Sequence, residues 1–120
     1  MLNELAKEIN QNARDKGFWD SMDEAIECLD EYPDSAIKAT KDAFISQKLA
    51  LVMSECGEAL EAMRKNKYGI EQKDTFEDEI ADSIIRLLDL CAELNIDIEK
   101  QIKWKMSFNK TREAKHGKEF

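Results

Sequence analysis

A chain of 120 residues fits one domain, and a hydrophobic fraction of 42% can support a core. The net charge of -8 argues against nucleic-acid binding through the whole surface, and 37% charged residues interleaved with periodic apolar ones argue against disorder. Four glycines and one proline leave little turn punctuation, which favours long helices over many short strands.

The expected fold is all-α, a bundle of four to five helices. Leu2, Leu5, Ile9 and Ala13 recur at helical spacing and predict a first helix over residues 2–16, stopped at Lys16-Gly17. After Phe18-Trp19-Asp20-Ser21 comes a short helix around 22–31, ended by Tyr32-Pro33-Asp34. A long helix follows from about Ala36 or Thr40 to Lys65, with Ile45, Leu49, Val52, Met53, Cys56, Leu60 and Met63 on one stripe. Residues 66–74 read as a loop, and Thr75 caps the next helix with Asp78 three residues on as an imperfect capping box. That helix runs to about Leu94, its stripe being Ile80, Ile84, Leu87, Leu88 and Cys91, and the last helix spans 97–111. One layer of helices this short leaves apolar surface uncovered, so self-association is expected.

Charge is unevenly spread. Residues 1–99 carry 11 basic and 24 acidic side chains; residues 100–120 carry seven basic and two acidic. Acidic helices followed by a basic segment suit a site for a metal ion and a polyphosphate together, although cations also favour helix C-termini and solvated tails. Cys28, Cys56 and Cys91 are odd in number and widely spaced, which predicts reduced, buried thiols rather than a disulfide framework or a zinc cluster. Met1 to Asn10 lacks the apolar region of a leader, and no apolar run approaches a membrane span. A cytoplasmic protein without a membrane partner is expected.

Two carboxylate pairs stand out, Glu55 with Glu58 on the long helix and Glu79 with Asp82 on the next. Each pair is spaced i, i+3, so both of its side chains project from one helix face. Antiparallel packing across the 66–74 loop would let the pairs converge into an all-oxygen site suited to Mg²⁺ or Mn²⁺. With 26 Asp and Glu in the chain, a solvated acidic face reads the same way. A di-iron bundle needs Glu-x-x-His pairs, and the only histidine, His116, lies outside both pairs.

The segments Ser54-Glu55-Cys56-Gly57-Glu58-Ala59-Leu60-Glu61-Ala62 and Asp78-Glu79-Ile80-Ala81-Asp82-Ser83-Ile84-Ile85-Arg86 resemble the paired ExxE and ExxD helices of MazG-like nucleotide pyrophosphohydrolases, in the all-α NTP pyrophosphatase superfamily. Lys105 to Arg112, then Lys115-His116-Gly117-Lys118, resemble the KxxxNxxR…HGK ending of one branch, as does Lys16-Gly17-Phe18-Trp19-Asp20 near the start. The resemblance implies a dimer or a tetramer and Mg²⁺-dependent cleavage of nucleoside triphosphates to monophosphate and pyrophosphate. It implies Glu55, Glu58, Glu79 and Asp82 as metal ligands. Where some members carry a double Glu at the first motif, this chain has Ser54 in the leading position.

On that reading Mg²⁺ offsets the triphosphate charge and lowers the pKa of a bound water, and Glu55 or Glu58 accepts its proton. Lys105, Asn109 and Arg112, spaced i, i+4, i+7, share one face of the last helix and offer phosphate contacts. Lys115, His116 and Lys118 would close over the substrate as a tail or, alternatively, form a flexible terminus. Trp19 with Phe18 would stack on a base or, alternatively, anchor the first helix. Arg86 is expected to pair with Asp82, Asp89 or an acidic residue of another subunit, and Cys56 to pack. Two alternatives compete: a non-catalytic helical oligomerisation module of the same fold, and a pyrophosphatase restricted to one nucleotide such as dUTP or dCTP.

Overall fold

The computed structural model describes residues 1–112, and every regular element among them is a helix. The order is α1 (Leu2–Asp15), α2 (Asp20–Glu27), α3 (Asp34–Arg64), α4 (Phe76–Glu93) and α5 (Ile98–Lys110). Helix α3 starts earlier than the sequence predicts, directly after Pro33, whose extended backbone serves as N-cap. Its 31 residues make it the longest helix of the described residues. Helix α2 is shifted the same way, starting at Asp20 and ending at Glu27, the turns after it reaching Tyr32.

Three helices stop in the same manner. Gly17 (φ 84°), Asn66 (φ 56°) and Asn95 (φ 54°) take the left-handed conformation just past α1, α3 and α4. In each case the next residue's N–H reaches back to the last turn: Phe18 to the Ala13 carbonyl, Lys67 to Ala62, Ile96 to Cys91. These are Schellman closures, and they satisfy carbonyls that a helix end otherwise leaves unpaired. Thr75 caps α4 by accepting from the Asp78 N–H at 3.3 Å. The return bond of a capping box is shifted by one residue, since the Asp78 carboxylate accepts from the Asp74 N–H at 2.9 Å.

Helix α4 is central, packed against α3 on one side and α1 on the other, while α2 leans on α3 and α5 on α1. The interior consists of Ala6, Trp19, Val52, Ala59, Ala62, Leu88 and Leu90. The stripes expected from periodicity are therefore largely not the interior. Met53 is 74% exposed, and Leu49, Leu60, Met63, Ile80, Ile84 and Leu87 also lie open. The long helix turns its small residues, Ala59 and Ala62, toward α4 instead, because small side chains let two backbones approach closely. Cys28 and Cys56 are exposed, against the expectation of buried thiols, and Cys91 is half-buried. No described helix is long and apolar enough to cross a membrane.

Candidate metal centre

The α3–α4 packing carries three carboxylates into one place. Glu55, Glu58 and Glu79 each offer an oxygen within 4.8 Å of the others. Glu79 is 6% exposed, on the α4 face that also buries Ser83. The Glu55 side chain is nearly buried too, while Glu58 stays open to solvent. A solvated acidic face does not describe this arrangement, because a carboxylate so enclosed loses hydration that it needs when charged. Burial, and then the nearby Glu58 and Glu55, push Glu79 up to about 7. Surplus negative charge in a hard oxygen donor set is what a divalent cation relieves, so these residues fit Mg²⁺ or Mn²⁺.

Asp82 stands apart from that close group. The i, i+3 spacing rotates it about 60° from Glu79 around α4, and it lines a cavity of about 340 Å³ between α1, α3 and α4. Glu55 and Arg86 border the same cavity. Arg86 pairs with Glu55, its Nε donating at 2.7 Å, and not with Asp82 or Asp89 as the sequence suggests. A proposed ligand is thus held by a cation from the facing helix. The Cys56 thiol, although exposed, touches the Ser83 hydroxyl at 3.5 Å.

Trp19 forms one wall of the cavity. It is 1% exposed, and its Nε1 donates to both oxygens of Asp89 at 3.1 Å. Lys48 lies 4.4 Å from its ring centroid and donates to the Phe18 carbonyl at 2.7 Å. Burial lowers the Lys48 pKa, and the neighbouring Asp89 opposes that effect. Phe18, the adjacent aromatic, is 63% exposed at the cavity rim.

On the other side of the carboxylates a smaller cleft of about 150 Å³ is lined by Glu58, Glu79, Asp74, Lys65 and Lys67 among others. Sequence reasoning missed these two lysines as site residues. They sit at and just past the C-terminus of α3, where basic residues are ordinary; Lys65 shares a helix face with Glu58 seven residues earlier, while Lys67 enters the same cleft through the Schellman turn at Asn66. Lys48 and Asp89 were missed for a related reason, since each meets its partner from a different helix.

Lys105, Asn109 and Arg112 are exposed on or just past α5, and none lines either opening. Lys105 and Arg112 flank the Phe108 ring, 5.0 and 5.6 Å from its centroid. Helix α5 packs against α1, so the structure does not bring this basic face to the carboxylates of its own chain. Lys115, His116 and Lys118 lie outside the described residues.

The chain matches no known family, no curated protein and no solved structure.

Proposed function

We propose that this chain is a Mg²⁺-dependent nucleoside triphosphate pyrophosphohydrolase that releases monophosphate and pyrophosphate. One observation carries the reading: Glu55, Glu58 and Glu79 meet across two helices around a carboxyl that is buried and raised to about 7. Proteins seldom enclose an acidic group against its own charge unless a site requires it. The order of the motif residues resembles that of MazG-like enzymes, and this supports the same reading.

In this site Glu55, Glu58 and Glu79 would hold the ion, with Asp82 beside them on the cavity side. When bound, Mg²⁺ would offset phosphate charge and lower the pKa of a bound water. Glu58, the most open of the three carboxylates, accepts the proton of the attacking water. Arg86 and Lys48 at the cavity wall, and Lys65 and Lys67 in the adjoining cleft, balance the charge of the phosphate chain. Pyrophosphate release from a panel of ribo- and deoxyribonucleoside triphosphates, with Mg²⁺ and with a chelator, tests the reading. Metal-dependent release supports it. No release from any of them by folded protein moves the weight to a non-catalytic helical module.

The active form on this reading is a dimer or a tetramer. Leu49, Met53, Cys56, Leu60 and Met63 on α3, and Ile80, Ile84 and Leu87 on α4, are spaced by alternating fours and threes and lie exposed. That is the spacing of a helix seam awaiting a facing seam. In such an assembly Lys105, Asn109 and Arg112 serve the substrate of a neighbouring copy. Placing aspartate at Met53 and Leu60 together is expected to yield monomer by light scattering while helical content persists. An unchanged mass would place the interface elsewhere.

A further inference from the structure

We propose that the cavity between α1, α3 and α4 is the nucleoside-recognition site, with Phe18 as its stacking face and Asn12 as the group that reads the base edge. For the direction in which phosphate leaves the cavity, the assignment rests on the pyrophosphohydrolase reading. At about 340 Å³ the cavity falls at the small end of the range of ligand sites. Its lining is mixed: Ile9, Ala13, Ile85 and Leu90 are apolar, while Lys48, Glu55, Asp82, Arg86 and Asp89 are charged. An aromatic heterocycle with polar substituents matches that mixture. Glu55 belongs both to the cavity wall and to the carboxylate group, so a chain leaving the cavity past Glu55 runs toward Glu58 and Glu79.

Phe18 is built to present its ring. Its N–H donates to the Ala13 carbonyl at 3.0 Å, and its carbonyl accepts from Lys48 at 2.7 Å. With both backbone groups fixed, the ring remains 63% exposed at the rim, beside a tryptophan that is wholly enclosed. On a fixed backbone an aromatic ring has only two torsions to settle when a base stacks on it, which costs little entropy. Asn12 lines the same cavity with its amide exposed. An amide offers a donor and an acceptor together, the pattern a nucleobase edge presents.

Calorimetric titration with the nucleosides, which carry no phosphate and need no divalent cation, tests the assignment apart from catalysis. Wild-type protein is expected to bind at least one of them, and Phe18→Ala to weaken that binding about 10–100-fold, the scale of a lost base stack. Asn12→Ala is expected to change the ranking among the bases. Both side chains are at the surface, so thermal melting should match wild type. Equal affinity in wild type and Phe18→Ala, or no binding by wild type, overturns the assignment. Turnover separates the two proposals. Nucleoside binding that depends on Phe18 without metal-dependent hydrolysis overturns only the enzyme, whereas hydrolysis with a KM unmoved by Phe18→Ala overturns only the cavity.

Discussion

Two substitutions in the carboxylate group, Glu58→Ala and Glu79→Gln, are expected to lower Mg²⁺-dependent hydrolysis by about 10²–10³-fold each, the scale of losing one preorganised electrostatic group. Their effects on stability should differ. Glu58 is exposed and its removal costs the fold little, whereas Glu79 is buried against Glu58 and Glu55. The folded Glu79 carboxyl titrates near 7, above its ordinary 4.5. Between those values the folded state holds a proton that the unfolded chain has released, so stability falls as pH rises from about 4.5 through about 7. The loss is on the order of 1–3 kcal/mol. Metal-free wild-type protein should therefore melt at a lower temperature at pH 8 than at pH 5, as far as this group governs it. Glutamine keeps the shape without the charge, so Glu79→Gln should flatten that dependence and melt higher at pH 8. Mg²⁺ should restore the wild type at pH 8 and leave the variant unmoved, because a ligand that binds only the folded state stabilises it. Scanning calorimetry at the two pH values, with and without Mg²⁺, reads all of this. A Glu79→Gln protein less stable than wild type at pH 8 would show that the buried carboxyl is a structural contact and not a held charge.

The helices were legible because their signals are local. Gly17 as a stop, Thr75 as a cap and the scarcity of proline act within a few residues, and all three took their expected places. The convergence of Glu55, Glu58 and Glu79 was also within reach, since an i, i+3 pair and a short loop constrain where two antiparallel helices can place side chains. Which apolar face a helix turns inward was not. Periodicity finds the stripe from Leu49 to Met63, but α3 packs on α4 with Val52, Ala59 and Ala62, and the larger side chains stay outside. Amphipathic spacing reports that a face wants cover; it does not say whether the cover belongs to the same chain. The Arg86–Glu55 pair lies 31 residues apart, and choosing Glu55 over Asp82 or Asp89 required the crossing of the helices. The proximity of Lys67 to Glu58 likewise came from a turn, not from a motif.

Trp19 tests whether its cavity wall is structural or a contact for the base. The ring is almost completely enclosed, its Nε1 is held by Asp89, and Lys48 covers its face. Asp89 also accepts from Asn10 at 2.8 Å, so the indole joins a polar network linking α1 to α4. Trp19→Ala is expected to cost about 3–5 kcal/mol, the range for removing a large buried aromatic. Against a total of about 5–15 kcal/mol for a native domain, that brings the variant close to unfolding and lowers its melting temperature by more than about 10 °C. Trp19→Phe keeps most of the buried volume but leaves Asp89 without its indole donor, which is expected to cost about 1–3 kcal/mol. If Trp19 chiefly contacted the base, both variants would melt like wild type and differ only in nucleotide affinity. A graded loss of melting temperature, Ala beyond Phe, instead makes Trp19 the post that sets the cavity's shape. Stacking then falls to Phe18, because a ring with one edge bonded to Asp89 and one face under Lys48 has little surface left to offer a base.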